Sequence, residues 1–466
     1  MPHRHLFLDL RDVTRVVNLY RRVHQPKRYP ANPILKGEHS WERLASLYGT
    51  VLYDPEEKQF KMWYLTGPSA PGMVRVRGRK ALGNITLLGY ATSTDGIHWE
   101  KPILGQVEVE GSKENNLIDL GRTNCEGIAV LYDAQDPDPN QRYKSFYWEH
   151  GGENVFVRHE DGRLLWGRGE GDGMWMSFSP DGVHWTNAPE NPVIPLNSDT
   201  TQSLVWDPKI EKYVVFGRFG AGGRKMARAE SDDALRFTEP ELVLQCDEGD
   251  EERTQLYGCP IDLYEGRYVG MAWIYREGVD GTIDTSLATS RDGIHWQRTL
   301  DRQTFLPLGP EGSWEDGMVR ITQRFIVVGE EIYLYYGGVT GPHTGKKFKQ
   351  VERRTTSMIG LCTLRRDGFV SLDAGQEEGY VLSKLIEFPE GDLWINTDAS
   401  RGYVIAAICD DRGRPLEGFE VSAPITGDHT AAKVHFTGTS VQRLAGRELR
   451  VLLRAREASL FSYWFE

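Results

Sequence analysis

Between about residue 40 and residue 384, short apolar runs with strand character alternate with turns rich in Asp, Glu, Gly and Pro. Thr50-Val51-Leu52-Tyr53-Asp54 is followed by Phe60-Lys61-Met62-Trp63-Tyr64, and Ser203-Leu204-Val205-Trp206-Asp207 by Lys212-Tyr213-Val214-Val215-Phe216. Ile261-Asp262-Leu263-Tyr264 with Arg267-Tyr268-Val269-Gly270, and Phe325-Ile326-Val327-Val328-Gly329 with Ile332-Tyr333-Leu334-Tyr335-Tyr336, repeat the arrangement. β-Branched and aromatic residues bounded by turn formers read as β-hairpins.

A recurring turn organises these hairpins. Ser93-Thr94-Asp95-Gly96-Ile97-His98-Trp99, Ser179-Pro180-Asp181-Gly182-Val183-His184-Trp185 and Ser290-Arg291-Asp292-Gly293-Ile294-His295-Trp296 are nearly identical. Ser231-Asp232-Asp233-Ala234-Leu235-Arg236-Phe237 is a degraded copy, and Arg366-Asp367-Gly368 keeps only the turn. Asp-Gly supplies a tight turn and the Trp a broad apolar plate. A residue present in copy after copy belongs to the scaffold, so His98, His184 and His295 read as structural. Self-similarity at this spacing, with about four strands per unit, predicts an all-β chain built as a five-bladed β-propeller over residues 1–384.

A second repeat links first and fifth units: Ser40-Trp41-Glu42 precedes Thr66-Gly67-Pro68 much as Ser313-Trp314-Glu315 precedes Thr340-Gly341-Pro342. Leu47-Tyr48-Gly49 and Leu256-Tyr257-Gly258 link first and fourth. The segment Leu6-Phe7-Leu8-Asp9-Leu10 is strand-like and is expected to close the ring on the last blade. Beyond residue 384 the turn signature stops. Leu393–Asn396, Tyr403–Ile408, Ala432–Phe436, Glu448–Leu453 and Leu460–Trp464 are candidate strands of a small C-terminal β-sandwich over 385–466.

Composition narrows the partners. A net charge of -12 argues against nucleic acid or an anionic membrane and favours an uncharged ligand such as an oligo- or polysaccharide. Cys125, Cys246, Cys259, Cys362 and Cys409 form no CxxC pair and read as reduced thiols. Met1-Pro2-His3-Arg4-His5 opens no apolar leader and no stretch is long enough to span a bilayer, so the chain as written reads as cytoplasmic, or as secreted if a leader has been removed. No cofactor is required by any motif. The carboxylates leave room for a structural or central Ca²⁺ without defining ligands for it.

In a propeller, polar residues just before each inner strand converge at one mouth of the axial channel. Those places hold Glu42, Glu126, Asp199, Glu252, and Glu315 with Asp316. Converging carboxylates suit glycosidic cleavage, where one protonates the leaving oxygen and another attacks or activates water; crowding also raises at least one pKa. Trp41, Trp314 and Tyr257 are candidates to stack on a sugar face, and Gln202, Arg218, Asp284, Asp316 and His343 to bind hydroxyls.

The Ser-x-Asp-Gly-x-x-Trp units, the Phe60-Lys61-Met62-Trp63-Tyr64 type of strand and the sandwich after them resemble the five-bladed propeller glycoside hydrolases of the fructosidase and arabinanase type, families thirty-two and forty-three and relatives. The fructosidase opening Trp-x-Asn-Asp-Pro-Asn-Gly, Arg-Asp-Pro and Glu-Cys-Pro are absent, which makes the resemblance one to a divergent branch. It implies a glycoside hydrolase or transglycosylase with carboxylates on the inner strands of the first three blades, here Glu42, Glu126 and Asp199. Asp199 is then the expected acid/base, with Glu42 or Glu126 as nucleophile or water-activating base and Glu315 as a further candidate. The competing expectation is a carbohydrate-binding propeller without catalysis, because fold does not fix function.

Overall fold

The computed structural model describes residues 4–68, 73–82, 85–121, 125–150, 156–158, 164–166, 171–220, 223–344 and 356–466. Among them the chain is all-β, with a few single-turn 3-10 segments and no α-helix. No helix of the described residues is long and apolar enough to cross a membrane.

The strands form antiparallel meanders. The first sheet runs Ser46–Asp54, Gln59–Thr66, Leu87–Ser93, Leu117–Ile118 from inside outward; the second Cys125–Tyr132, Tyr143–Glu149, Gly173–Ser179, Thr186–Asn187; the third Ser203–Asp207, Lys212–Gly217, Met226–Ser231, Glu241–Leu244. The next two meanders are one hydrogen-bonded sheet. One is centred on Arg267–Arg276 and Ile283–Ser290, the other on Met318–Ile321, Glu331–Val339 and Ser357–Arg365, and a single parallel contact, Ile283 to Met318, joins them.

Neighbouring sheets are tied by one device. An Asp at the end of an inner strand accepts from a Tyr hydroxyl of the next sheet: Asp54 from Tyr143, Asp133 from Tyr213 at 2.7 Å, Asp207 from Tyr268 at 2.5 Å. The Leu-Tyr-Asp and Val-Trp-Asp endings of the hairpins are therefore docking points. The last meander returns to the first: Thr322 donates to the Gly49 carbonyl, Gln323 Nε2 to Thr50 Oγ1 at 2.7 Å, and Tyr335 to the Gly96 carbonyl at 2.7 Å. This cyclic succession makes the fold propeller-like. Arg324 closes its deeper end, donating to the Val130 and Leu204 carbonyls at 2.8 Å each and to Asp262 at 2.9 Å, so one guanidinium touches three other inner strands.

The turn signature acts as scaffold. Ser93 Oγ accepts from the amides of Asp95 and Gly96, while Asp95 Oδ1 accepts from those of Ile97 and His98 and Asp95 Oδ2 bonds His98 Nδ1 at 2.7 Å. The copies at 179–185 and 290–296 repeat this, and in the degraded copy Arg236 replaces the histidine against Asp233. Gly96, Gly182 and Gly293 have φ between 73° and 78°, and each abuts the preceding sheet, Gly182 through its carbonyl on Trp63 Nε1. The Trp plates pack across sheets as well: Trp99 meets Tyr335 edge-on at 5.8 Å and Trp296 meets Phe216 at 6.0 Å.

The C-terminal sheet differs from expectation in two ways. Leu393–Asn396 and Tyr403–Ile408 belong to one strand, Leu393–Cys409, because the polar Ser400-Arg401-Gly402 interruption makes a register shift and not a turn. The sheet also recruits strands from before residue 384: Val13–Val17 and Leu19–Val23 pair with Gly379–Ser383 and Val370–Ala374, which pair on into the C-terminal strands. The segment expected to close the ring lies here too. His5–Leu6 pairs with Ala458–Phe465, whereas Lys27–Arg28 pairs with Ser357–Arg365. The reason is alternation: Phe7 points into the core of this sheet while Leu6 and Leu8 point into the neighbouring core with Phe305 and Leu306.

Candidate functional site

The structure separates the sequence-nominated carboxylates into two kinds. Glu42 is buried and fully engaged: Oε1 accepts from Tyr64, and Oε2 from Lys101 Nζ at 2.6 Å and the Glu38 amide at 3.3 Å. Trp41 belongs to the same network, donating to Asn116 at 3.1 Å while Asn116 donates to Tyr64. Glu315 repeats the theme, with Arg28 Nε at 2.8 Å and Tyr336 as a neighbour whose pKa it helps to raise. Trp314 stacks on Tyr336.

Both tyrosines lie over a glycine of the third strand, where a Cβ would come within 2.6 Å of the Tyr64 ring at Gly89 and 2.5 Å of the Tyr336 ring at Gly360. The Ser-Trp-Glu repeat is thus a buried buttress of carboxylate, tyrosine and cation. Both Glu42 oxygens are bonded, whereas Glu315 is buried with Oε2 left without a hydrogen-bond partner among the described residues, and Trp41 and Trp314 are half-buried against the sheets.

Glu126 and Asp199 are placed differently. Glu126 opens the inner strand Cys125–Tyr132 at a bulge, and Gly127 has φ 63°. A side chain at 127 would meet the Thr200 carbonyl at 2.0 Å, so only glycine lets the 198–202 loop lie against the bulge. Gln202 fixes that loop: its amide nitrogen donates to the Ser198 and Thr200 carbonyls at 2.8 Å each, its oxygen accepts from Ser198, and its backbone amide reaches the Gly127 carbonyl at 3.1 Å. Gln202 is fully buried, and its side-chain amide is engaged within the 198–202 loop that carries Asp199.

Asp199 is 75% exposed and pairs with Arg218 at 3.2 Å. Glu126 is 24% exposed, with His150 Nε2 at 3.9 Å. Burial, then the charge of Asp199, pushes the Glu126 carboxyl up to about 7, against the opposing pull of the Thr86 hydroxyl and Arg218. Burial alone lowers His150 to about 4, so it stands neutral beside Glu126.

Facing this pair is a wall of rings and guanidiniums. Tyr257 meets His343 edge-on at 4.9 Å and Tyr275 at 5.8 Å. Arg224 lies over Tyr257 at 5.0 Å and over Tyr275 at 5.2 Å, and Arg320 over Tyr48 at 4.5 Å and Trp273 at 5.7 Å. Burial, followed by Arg224, Arg320 and Arg218, lowers His343 to about 4. Burial also raises Tyr48, as do Tyr257 and Asp199, against Arg320.

Of the remaining nominees, Asp284 is held by Arg276 at 3.0 Å and Thr304 at 3.1 Å. Asp316 accepts from the amides of Gly312 and Gly341 at 2.8 Å each and so ties two loops together, one of which carries His343. Glu252 is exposed. Tyr48, Arg224, Arg320, Tyr275 and His150 were not nominated from sequence, although the duplicated Leu-Tyr-Gly makes Tyr48 the counterpart of the nominated Tyr257.

A separate depression of about 540 Å³ is lined by Arg22, Val23, His24, Gln25, Gln303 and Thr304. His24 there is occupied by Ser371 at 2.7 Å, whose hydroxyl continues to Asp373. Among the described residues no group of three or more His, Cys, Asp or Glu is arranged to hold a metal ion, and all five cysteines are free.

No protein-family model matches the chain, and no curated protein sequence matches it. Solved structures similar to it include an N-acetylgalactosamine deacetylase from F. plautii in complex with blood group B trisaccharide, with 14% identity and TM-score 0.48, covering 76% of this chain and 96% of that one. A structure from work on glycoside hydrolases within the GH130 family of mannoside phosphorylases, targeting β-1,2 mannosidic linkages in Candida mannan, has 16% identity and TM-score 0.48, covering 74% and 94%. The catalytic domain of the Coprinopsis cinerea GH62 α-L-arabinofuranosidase has 12% identity and TM-score 0.44, covering 74% and 97%.

Proposed function

We propose that this chain is a carbohydrate-active enzyme, a glycoside hydrolase or transglycosylase whose reaction runs at the open mouth of a five-bladed propeller. The propeller lies within residues 1–384 and the β-sandwich takes 385–466, with strands 13–23 and 370–383 joining the sheet of the latter. The substrate is an oligo- or polysaccharide. Neither a cofactor nor Ca²⁺ takes part in the steps below.

The observation that carries this reading is the Glu126 carboxyl, lifted to about 7 beside the charge of Asp199. Two carboxyl groups with divergent environments are what acid and base roles require. Glu126 gives its proton to the glycosidic oxygen as the C–O bond breaks. Asp199, held by Arg218, serves the anomeric carbon, either by attacking it or by taking a proton from the water that does. This exchanges the roles expected from sequence, because the buried member of the pair is the one that holds a proton near neutrality. Tyr257, Tyr48 and His343 provide the surface on which a sugar ring rests.

The test is a glycan panel read for both product release and binding, with wild type beside Glu126→Gln. Turnover that disappears in Glu126→Gln, with binding kept, supports the assignment. Saturable binding without turnover in wild type replaces it with the carbohydrate-binding reading.

A further inference from the structure

Two of the three guanidiniums at the mouth have no acidic partner. Arg218 is paired with Asp199, but Arg224 has only the Gln255 side-chain oxygen, and Arg320 makes no hydrogen bond or ion pair among the described residues. Arg320 is 5% exposed and sits on the inner strand Met318–Ile321 against the faces of Tyr48 and Trp273. A buried guanidinium without a counter-charge is costly, and ring faces offset only part of that cost. Elsewhere in the described chain comparable arginines are paired: Arg4 with Asp367, Arg298 with Asp250, Arg324 with Asp262. That two cations stay without acids in a protein of net charge -12 points to a counter-charge brought by the ligand.

The geometry points to an oxyanion subsite at Arg320 and Arg224, roofed by His343 and walled by Tyr48, Tyr257, Tyr275 and Trp273. The anion is either the carboxylate of an acidic sugar or a free oxyanion such as inorganic phosphate. Planar, multiply donating guanidiniums suit either. Burial lowers the proton affinity of His343 first, and Arg224, Arg320 and Arg218 lower it further against Glu277, which places all three cations near this ring. This subsite refines the substrate class proposed above and rests on that reading only for the sugar, not for the anion.

Calorimetric titration of the full chain tests it, using a uronate-containing disaccharide, its neutral counterpart and inorganic phosphate against wild type, Arg320→Met and Arg224→Met. The expected result is at least tenfold tighter binding of the uronate than of the neutral sugar, lost in both variants and weakened by salt. Phosphate binding with no uronate preference, lost in the same variants, identifies the free anion as occupant and also supports the subsite. Equal binding of all ligands, or a preference that both variants retain, overturns it.

A structural role for Arg320 predicts that Arg320→Met melts lower, whereas a site waiting for an anion predicts an unchanged or higher Tm without ligand. The partly exposed Arg224→Met keeps the test open should Arg320→Met fail to fold. NMR titration of His343 adds a readout independent of turnover, because a bound anion raises its pKa. If anion binding holds while no glycan is cleaved, the catalytic reading fails and this one stands.

Discussion

Glu42 and Glu315 on one side, Glu126 and Asp199 on the other, occupy comparable places just before or at inner strands, yet their surroundings are opposite. The first two are enclosed by a tyrosine hydroxyl and a cation, Lys101 or Arg28. The second two meet across a packed bulge and loop, one of them nearly in solvent. Glu42 and Glu315 are copies of one another within a Ser-Trp-Glu repeat, and a repeated polar residue serves what is repeated, the build of a sheet. Glu126 and Asp199 have no counterpart, and chemistry confined to one mouth needs residues that occur once.

The largest effect expected from breaking this contrast is in Glu126→Gln. Steady-state rates on a cleaved glycan should fall by about 10²–10⁴-fold, the range for a positioned acid or base. Stability should move the other way. The folded-state pKa of about 7 lies above the ordinary 4.5, so the stability associated with this group is complete below 4.5 and is lost as pH rises through about 7. Gln removes that loss, and denaturant unfolding at pH 8 should show a gain on the order of 3 kcal/mol. A variant that is inactive and less stable would place Glu126 among the buttresses.

Glu42→Ala should do the reverse. It strands Lys101 and the Tyr64 hydroxyl, and breaking a buried pair from one side costs about 3–5 kcal/mol, visible as a lower midpoint in urea while activity per folded molecule is retained. Asp199→Asn is expected to slow turnover by about 10²-fold and to lower the Glu126 pKa, because the charge that raises it is gone. The falling limb of the pH–rate profile should then shift to lower pH; an unmoved limb would separate the two residues. Smallest of all, His98→Ala, His184→Ala and His295→Ala should each change stability by less than about 0.5 kcal/mol and leave rates alone, since each histidine is an exposed partner of its own turn Asp.

The sheets were readable because hairpins and Asp-Gly turns are local signals, and because the strand-end Asp and the Trp plate recur from unit to unit even though their partners lie in neighbouring sheets. The membership of the C-terminal sheet was not, since the partner of His5–Leu6 lies at Tyr463 and Ser462 and short-range alternation does not reveal distant pairing. At the site, Glu126, Asp199, Arg218, Tyr257 and His343 could be nominated because they stand beside inner strands or in loops leading from them. Arg320 could not, as it sits within a strand whose apolar neighbours Met318, Val319 and Ile321 give no sign of a charged face. Nor could the silence of Glu42 be read from spacing alone; the rule that made the repeated histidines structural extends to it once Tyr64 and Tyr336 are seen to match.

Arg324, bonded to three inner strands, plugs the ring at the end away from the proposed site. If the proposed reaction runs beside Asp199, a ligand enters and leaves on that one side, and a cleaved glycan would surrender its outer fragment before the inner one. On the same reading a glycan chain would dock from its end and would not be drawn through the ring. Accumulated inner fragment should therefore act as a competitive inhibitor of the next arrival.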